Sequence, residues 1–118
     1  MLEYSALEAM TKGQGTVTDW RTLVDVLNLS ETMARHNIGK DEVLPVCQKA
    51  QDALHQAAER YMKTLKMGLS GEGIQAVREL IAYADLQQAS ISRSDFEKYI
   101  QKTKDYIRSN GNLVVEIT

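Results

Sequence analysis

The stretch Asp41–Met67, DEVLPVCQKAQDALHQAAERYMKTLKM, decides the fold. Within it Val43, Cys47, Ala50, Leu54, Ala57, Tyr61 and Thr64 follow one another at steps of four, three, four, three, four and three. That spacing lays seven side chains along one stripe of a helix, while Asp, Glu, Gln, Lys and Arg fill most of the other faces. Roughly 25 residues at 1.5 Å each rise near 37 Å, so the segment is expected to be a long central helix over about 41–67. Asp41 is placed to cap its start, with Glu42 at the positive end of the helix dipole. Pro45, the only proline, falls within the first turn or so, where its missing N–H costs least. Cys47, Ala50 and Ala57 let a neighbouring helix approach closely, and Leu54 and Tyr61 give it bulk to lean on.

Such a stripe must be buried against other helices, and the flanking sequence supplies four. Leu2, Leu7 and Met10 fall at helical spacing within residues 2–12, and Gly13-Gln14-Gly15 ends that helix. Thr16 with Asp19 has capping-box spacing, Thr18 being a competing cap, and opens a helix at about residue 17. It carries Trp20, Leu23, Val24, Leu27 and Met33 inward and ends near 35–37, where Asn37 or Gly39 can turn left-handed. Gly68 to Gly73 reads as a flexible connection into a fourth helix with Ile74, Val77, Leu80, Ile81 and Ala84 on one side. Ser92 with Asp95, or Ser94 with Glu97, caps a fifth helix carrying Phe96, Tyr99, Ile100, Thr103, Tyr106 and Ile107, which Asn110-Gly111 stops. The expectation is an all-α, single-domain bundle of about five helices over 1–111. An extended apolar tail, 112–118, follows it: Asn112-Leu113-Val114-Val115-Glu116-Ile117-Thr118 has strand-like composition and no strand to pair with. It can pack across the bundle, pair with another chain or stay unstructured.

At 118 residues, 43% hydrophobic and 25% charged, the chain has the composition of a folded globular domain. Its net charge is -2, with no overall footprint for a polyanion, and nucleic acid is disfavoured as a partner. Residues 1–59 carry 5 basic and 9 acidic side chains and residues 60–118 carry 9 and 7, an asymmetry that a solvated helical surface produces routinely. The single cysteine, Cys47, excludes an intrachain disulfide and sits on the apolar stripe as a small hydrophobe. Leu2-Glu3-Tyr4 lacks the basic start and apolar run of a signal peptide, and no apolar stretch is long enough to span a membrane. A cytoplasmic protein is expected, without a membrane partner.

No constellation for catalysis or cofactor binding emerges. The Gly68, Gly71, Gly73 run has no preceding strand and no following Lys-Ser or Lys-Thr pair, so it reads as a linker rather than a phosphate loop. His36 and His55, with Cys47 between them, lack the three or four converging ligands of a zinc site. The expectation is therefore no catalytic residue, no cofactor and no metal. The hairpin around Ser92-Arg93-Ser94 outlines a helix-turn-helix, and Lys98, Lys102, Lys104 and Arg108 make the helix 94–109 basic. Glu97 and Asp105 interrupt that run, and a bundle hairpin has the same outline. Trp20, Tyr61, Phe96 and Tyr99 fall on apolar stripes and are expected in the core, while Tyr4, Tyr83 and Tyr106 are less firmly placed.

The stretch Gly13-Gln14-Gly15-Thr16-Val17-Thr18-Asp19-Trp20-Arg21-Thr22-Leu23, continued by Val26-Leu27-Asn28, resembles a segment of small uncharacterised helical proteins encoded by bacteriophages and mobile elements of proteobacteria. The resemblance covers the N-terminal third and carries no assigned functional residues. It implies a small acidic helical protein that acts in the host cytoplasm by binding a host protein, a protein complex or a defence system. The functional expectation is thus a non-enzymatic protein-binding module of phage type, with Tyr83, Lys98, Lys102, Tyr106, Leu113 and Val115 as partner-binding residues. The alternatives are a DNA-binding regulator using the basic helix, and a self-assembling homodimer joined through the central stripe or the tail.

Overall fold

The computed structural model describes the chain from Leu2 to Asn110, and these residues form five helices and no strand. They are α1 (Leu2–Thr11), α2 (Val17–Arg35), α3 (Lys40–Thr64), α4 (Gly71–Ala89) and α5 (Arg93–Asn110). The expected all-α bundle forms, with α3 the longest helix at 25 residues. The tail, with Leu113 and Val115, lies outside the described residues.

The start of α2 follows the expected cap: Thr16 Oγ1 accepts the Asp19 N–H at 3.1 Å and Asp19 Oδ2 accepts the Thr16 N–H at 2.9 Å. Its end turns twice left-handed, at Asn37 (φ 69°) and Gly39 (φ 72°), conformations that Asn and Gly adopt most easily. Gly39, not Asp41, is the N-cap of α3, and it makes no side-chain cap. Asp41 falls in the first turn instead, where its charge still favours the helix dipole. Because α3 starts at Lys40, Pro45 is its sixth residue, deeper than expected, and removes the N–H that would bond the Asp41 carbonyl. The helix ends at Thr64, earlier than the sequence suggested, on a left-handed Leu65 (φ 59°) whose N–H donates to Tyr61 O.

The stripe of α3 is buried from Val43 through Cys47, Ala50 and Leu54 to Ala57, but Tyr61 is half-buried and Thr64 exposed. Tyr61 stands five full turns from Val43 and so at the same helical angle, which makes the loss of burial a matter of how far the neighbouring helices reach along α3 rather than of rotation of the stripe. Val46 and Ala53 on one flank of the stripe and Ala58 on the other are also buried and widen the contact, because α3 packs between α2 and α4 rather than against one neighbour. The α3–α4 approach is close at Gly73, where a Cβ would stand 3.2 Å from the Cβ of Ala53. On the α2 side, the buried Trp20 indole N–H donates to the Leu54 carbonyl at 2.9 Å.

The segment between α3 and α4 is tied down rather than loose. Gly15 N–H donates to Met67 O at 3.1 Å and Leu69 N–H to Met10 O at 3.2 Å, lacing this loop to the one after α1. Ser70 then caps α4 by accepting the Gly73 N–H at 3.1 Å, so Gly71 and Gly73 belong to the first turn of the helix. Val77, Leu80 and Ile81 are buried as expected, while Ile74 and Ala84 are half-buried. At the far end of α4, buried Gln87 donates to the carbonyls of Ser30 (3.1 Å) and Ile38 (2.8 Å) and accepts from the Ser30 hydroxyl at 2.6 Å. One side chain thereby joins α4 to α2 and to the α2–α3 loop. Replacing Gln87 by Leu removes these three bonds at once and is expected to cost about 2–3 kcal/mol in urea unfolding. Gln88→Ala, at an exposed neighbouring position, should change stability by less than about 0.5 kcal/mol.

Candidate functional site

On α2 the residues Asn28, Glu31, Thr32 and Arg35 recur at steps of three, one and three, which aligns them on one face beside the apolar row. α5 packs mainly against this face. Ser92 Oγ accepts the Asp95 N–H at 3.1 Å, so Ser92 opens α5 at Arg93, and the competing Ser94 lies inside the helix. The seam between the two helices is consequently polar. Thr103 Oγ1 lies 2.8 Å from both Thr32 Oγ1 and the Tyr99 carbonyl, and Thr32 Oγ1 donates to the Asn28 carbonyl at 3.0 Å. A cleft of about 150 Å³ opens in this seam. Asn28 and Glu31 are buried in it, Thr103 faces them from α5, and Tyr106 and Ile107 form its apolar wall.

Glu31 is only 8% exposed, and Arg35 is its partner: Nε and Nη2 both donate to Oε1, at 3.0 and 2.6 Å. The bond to Glu31 holds the Arg35 guanidinium above its usual range. With the Arg35 side chain 63% exposed, the pair stands half in water and adds little to stability, but it removes the cost of leaving the carboxylate alone. His36 Nδ1 lies 2.8 Å from the Thr32 carbonyl, which only a protonated nitrogen can bond, and its ring tilts against Tyr99 at 5.3 Å between centroids.

The residues singled out from the sequence are divided. Lys102 and Tyr106 line the cleft, and Tyr106 is 51% exposed. Lys98 stands apart, over the Tyr99 ring at 5.0 Å and 3.9 Å from Asp95. Tyr83 is half-buried on α4 against the core, and Leu113 and Val115 lie outside the described residues. Of the expected core aromatics Trp20 alone is fully buried; Tyr61, Phe96 and Tyr99 are half-buried, because α5 and the end of α3 are covered on one side only. The polar face Asn28, Glu31, Thr32, Arg35 escaped the reading of the sequence, although its helical spacing next to an apolar row was the signal that could have found it.

The basic character of α5 is mixed with acids: Arg93 lies 3.6 Å from Glu97 and Arg108 3.8 Å from Asp105. His55 pairs with Glu59 on α3 at 2.7 Å, and among the described residues no group of three or more His, Cys, Asp or Glu is placed to hold a metal. Among the described residues no helix is long and apolar enough to cross a membrane. Comparison with known proteins finds no match for the chain among family models, curated proteins or solved structures.

Cys47 is buried beneath Ser30, and burial pushes its thiol from the ordinary 9.0 to about 11. The thiol is therefore protonated at neutral pH and is not a nucleophile. Above pH 9 the unfolded chain releases this proton before the folded one does, so stability should fall with rising pH between about 9 and 11. Urea titrations across that window should show the decline, and Cys47→Ala should flatten it. At the seam, Thr103→Val removes the hydroxyl that joins α5 to Thr32, with an expected cost of about 1 kcal/mol and faster amide hydrogen exchange confined to α5.

Proposed function

We propose that this protein is a non-enzymatic protein-binding module, a phage-type accessory protein that binds a host or defence protein in the host cytoplasm, and that α5 is its binding surface. The supporting observation is the unfinished burial of α5: Phe96, Tyr99, Ile100 and Ile107 are half-buried and Tyr106 is exposed, so no apolar side chain of this helix reaches the core. Phe96 stands between two openings, one of about 140 Å³ toward α1, α2 and α4 and one of about 510 Å³ toward Ile91 and Ile100. An amphipathic helix with half its apolar stripe in water is the form that helix-mediated recognition takes. Charge favours a protein partner with an acidic rim. Residues 93–110 carry Arg93, Lys98, Lys102, Lys104 and Arg108 against Asp95, Glu97 and Asp105, a net of +2 on a chain of net -2. The phage setting rests on the resemblance of residues 13–28.

The full-length protein, immobilised and exposed to a host lysate, is expected to retain the same protein repeatedly. A variant carrying Ile100→Asp and Tyr106→Ala should lose it, while Leu65→Ser, at the exposed end of α3, should keep it. Retention by the α5 variant, or no partner at all, would overturn the reading. A doubled mass in light scattering that the α5 variant returns to monomer would assign the surface to a second copy instead.

A further inference from the structure

We infer that the cleft between α2 and α5 is a binding site for a small organic monoanion: a carboxylate carried on an apolar body the size of one ring. A seam that served only to attach α5 would be packed like the α2–α3 contact, where Leu23, Leu27 and Leu54 leave no exposed surface. Here the chain instead buries a carboxylate, an amide and a hydroxyl, at Glu31, Asn28 and Thr103, and leaves an open volume of about 150 Å³ over them. Convergent polar groups in a largely apolar concavity are the usual make-up of a small-molecule site. A cavity of about this volume holds one benzene-sized ligand.

The charges set the ligand's sign. Two of the three Arg35 guanidinium nitrogens, Nε and Nη2, converge on Glu31 Oε1, and this pair is neutral as a unit. Lys102 adds a positive charge to the lining, where Glu31 is the one acid among the described residues. A ligand carboxylate placed at Lys102 and the outer edge of Arg35 would gain charge-assisted hydrogen bonds. Its body would then lie along Tyr106 and Ile107, and Glu31 Oε2 remains an acceptor for a hydroxyl on the ring. This inference does not depend on α5 binding a protein partner: Tyr106 belongs to both surfaces, but the protein alone presents the cleft open.

Sodium benzoate titrated into the full-length protein, followed by amide NMR shifts, tests it. Saturable shifts centred on Thr32, Thr103 and Tyr106, with a millimolar or tighter dissociation constant, are expected for so small a ligand. Benzyl alcohol, the same ring without charge, should bind on the order of tenfold more weakly. Lys102→Gln, at an exposed position where folding is not at risk, should weaken benzoate by about the same factor without altering the thermal midpoint. Shifts that do not saturate, benzylamine binding more tightly than benzoate, or undiminished benzoate binding by the Lys102→Gln protein would overturn the inference.

Discussion

Leu54 lies where the helices of this protein meet, its side chain fully buried and its backbone carbonyl accepting the indole N–H of Trp20 at 2.9 Å. A buried indole needs a partner for its one donor, and a carbonyl inside a helix keeps a second lone pair to offer. That bond sets the height of α2 along α3, so Cys47 comes to lie under Ser30 and Ser30 opposite Gln87. On the other side of α3 the small residues Ala53 and Gly73 let α4 close in. Two neighbours thus clasp one helix, and α1 packs on those neighbours, α2 and α4, burying Ala6, Leu7 and Met10.

Polar groups hold the two ends of this apolar centre. At one end the backbone pairs Gly15 with Met67 and Leu69 with Met10. At the other, Gln87 bonds two carbonyls and a hydroxyl and so ties α4 to α2 and to the loop after it. α5 follows a different rule, because among the described residues its one fully buried side chain is Thr103, bonded to Thr32 of α2, and its apolar side chains are at most half-buried. Its attachment is correspondingly weak per unit area, and its apolar residues are shared between the body and the solvent. The cleft and the uncovered stripe, on which the functional readings rest, both follow from this one difference.

The heptad of α3, the Thr16–Asp19 capping box and the Ser92 cap were legible in the sequence because each is a local pattern whose energy is settled within one or two turns. So was the number of helices, since each apolar stripe is separated from the next by glycine, asparagine or serine. The early end of α3, the exposure of Thr64 and the buried flanks at Val46, Ala53 and Ala58 were not. These depend on how far the neighbouring helices reach and on their crossing α3 from two sides.

The sequence by itself determined that this chain is a helical bundle around Val43–Ala57, because side-chain periodicity and caps act through neighbours in the chain. Only the tertiary structure decided that Asn28, Glu31, Thr32 and Arg35 face Lys102, Thr103 and Tyr106 across a cleft. Those two sets are some 70 residues apart, as in the Thr32–Thr103 bond with its separation of 71. No local rule states which face of a distant helix will cover a polar row. That choice is made when α3 and α4 have taken the apolar side of α2 and leave α5 the side that remains.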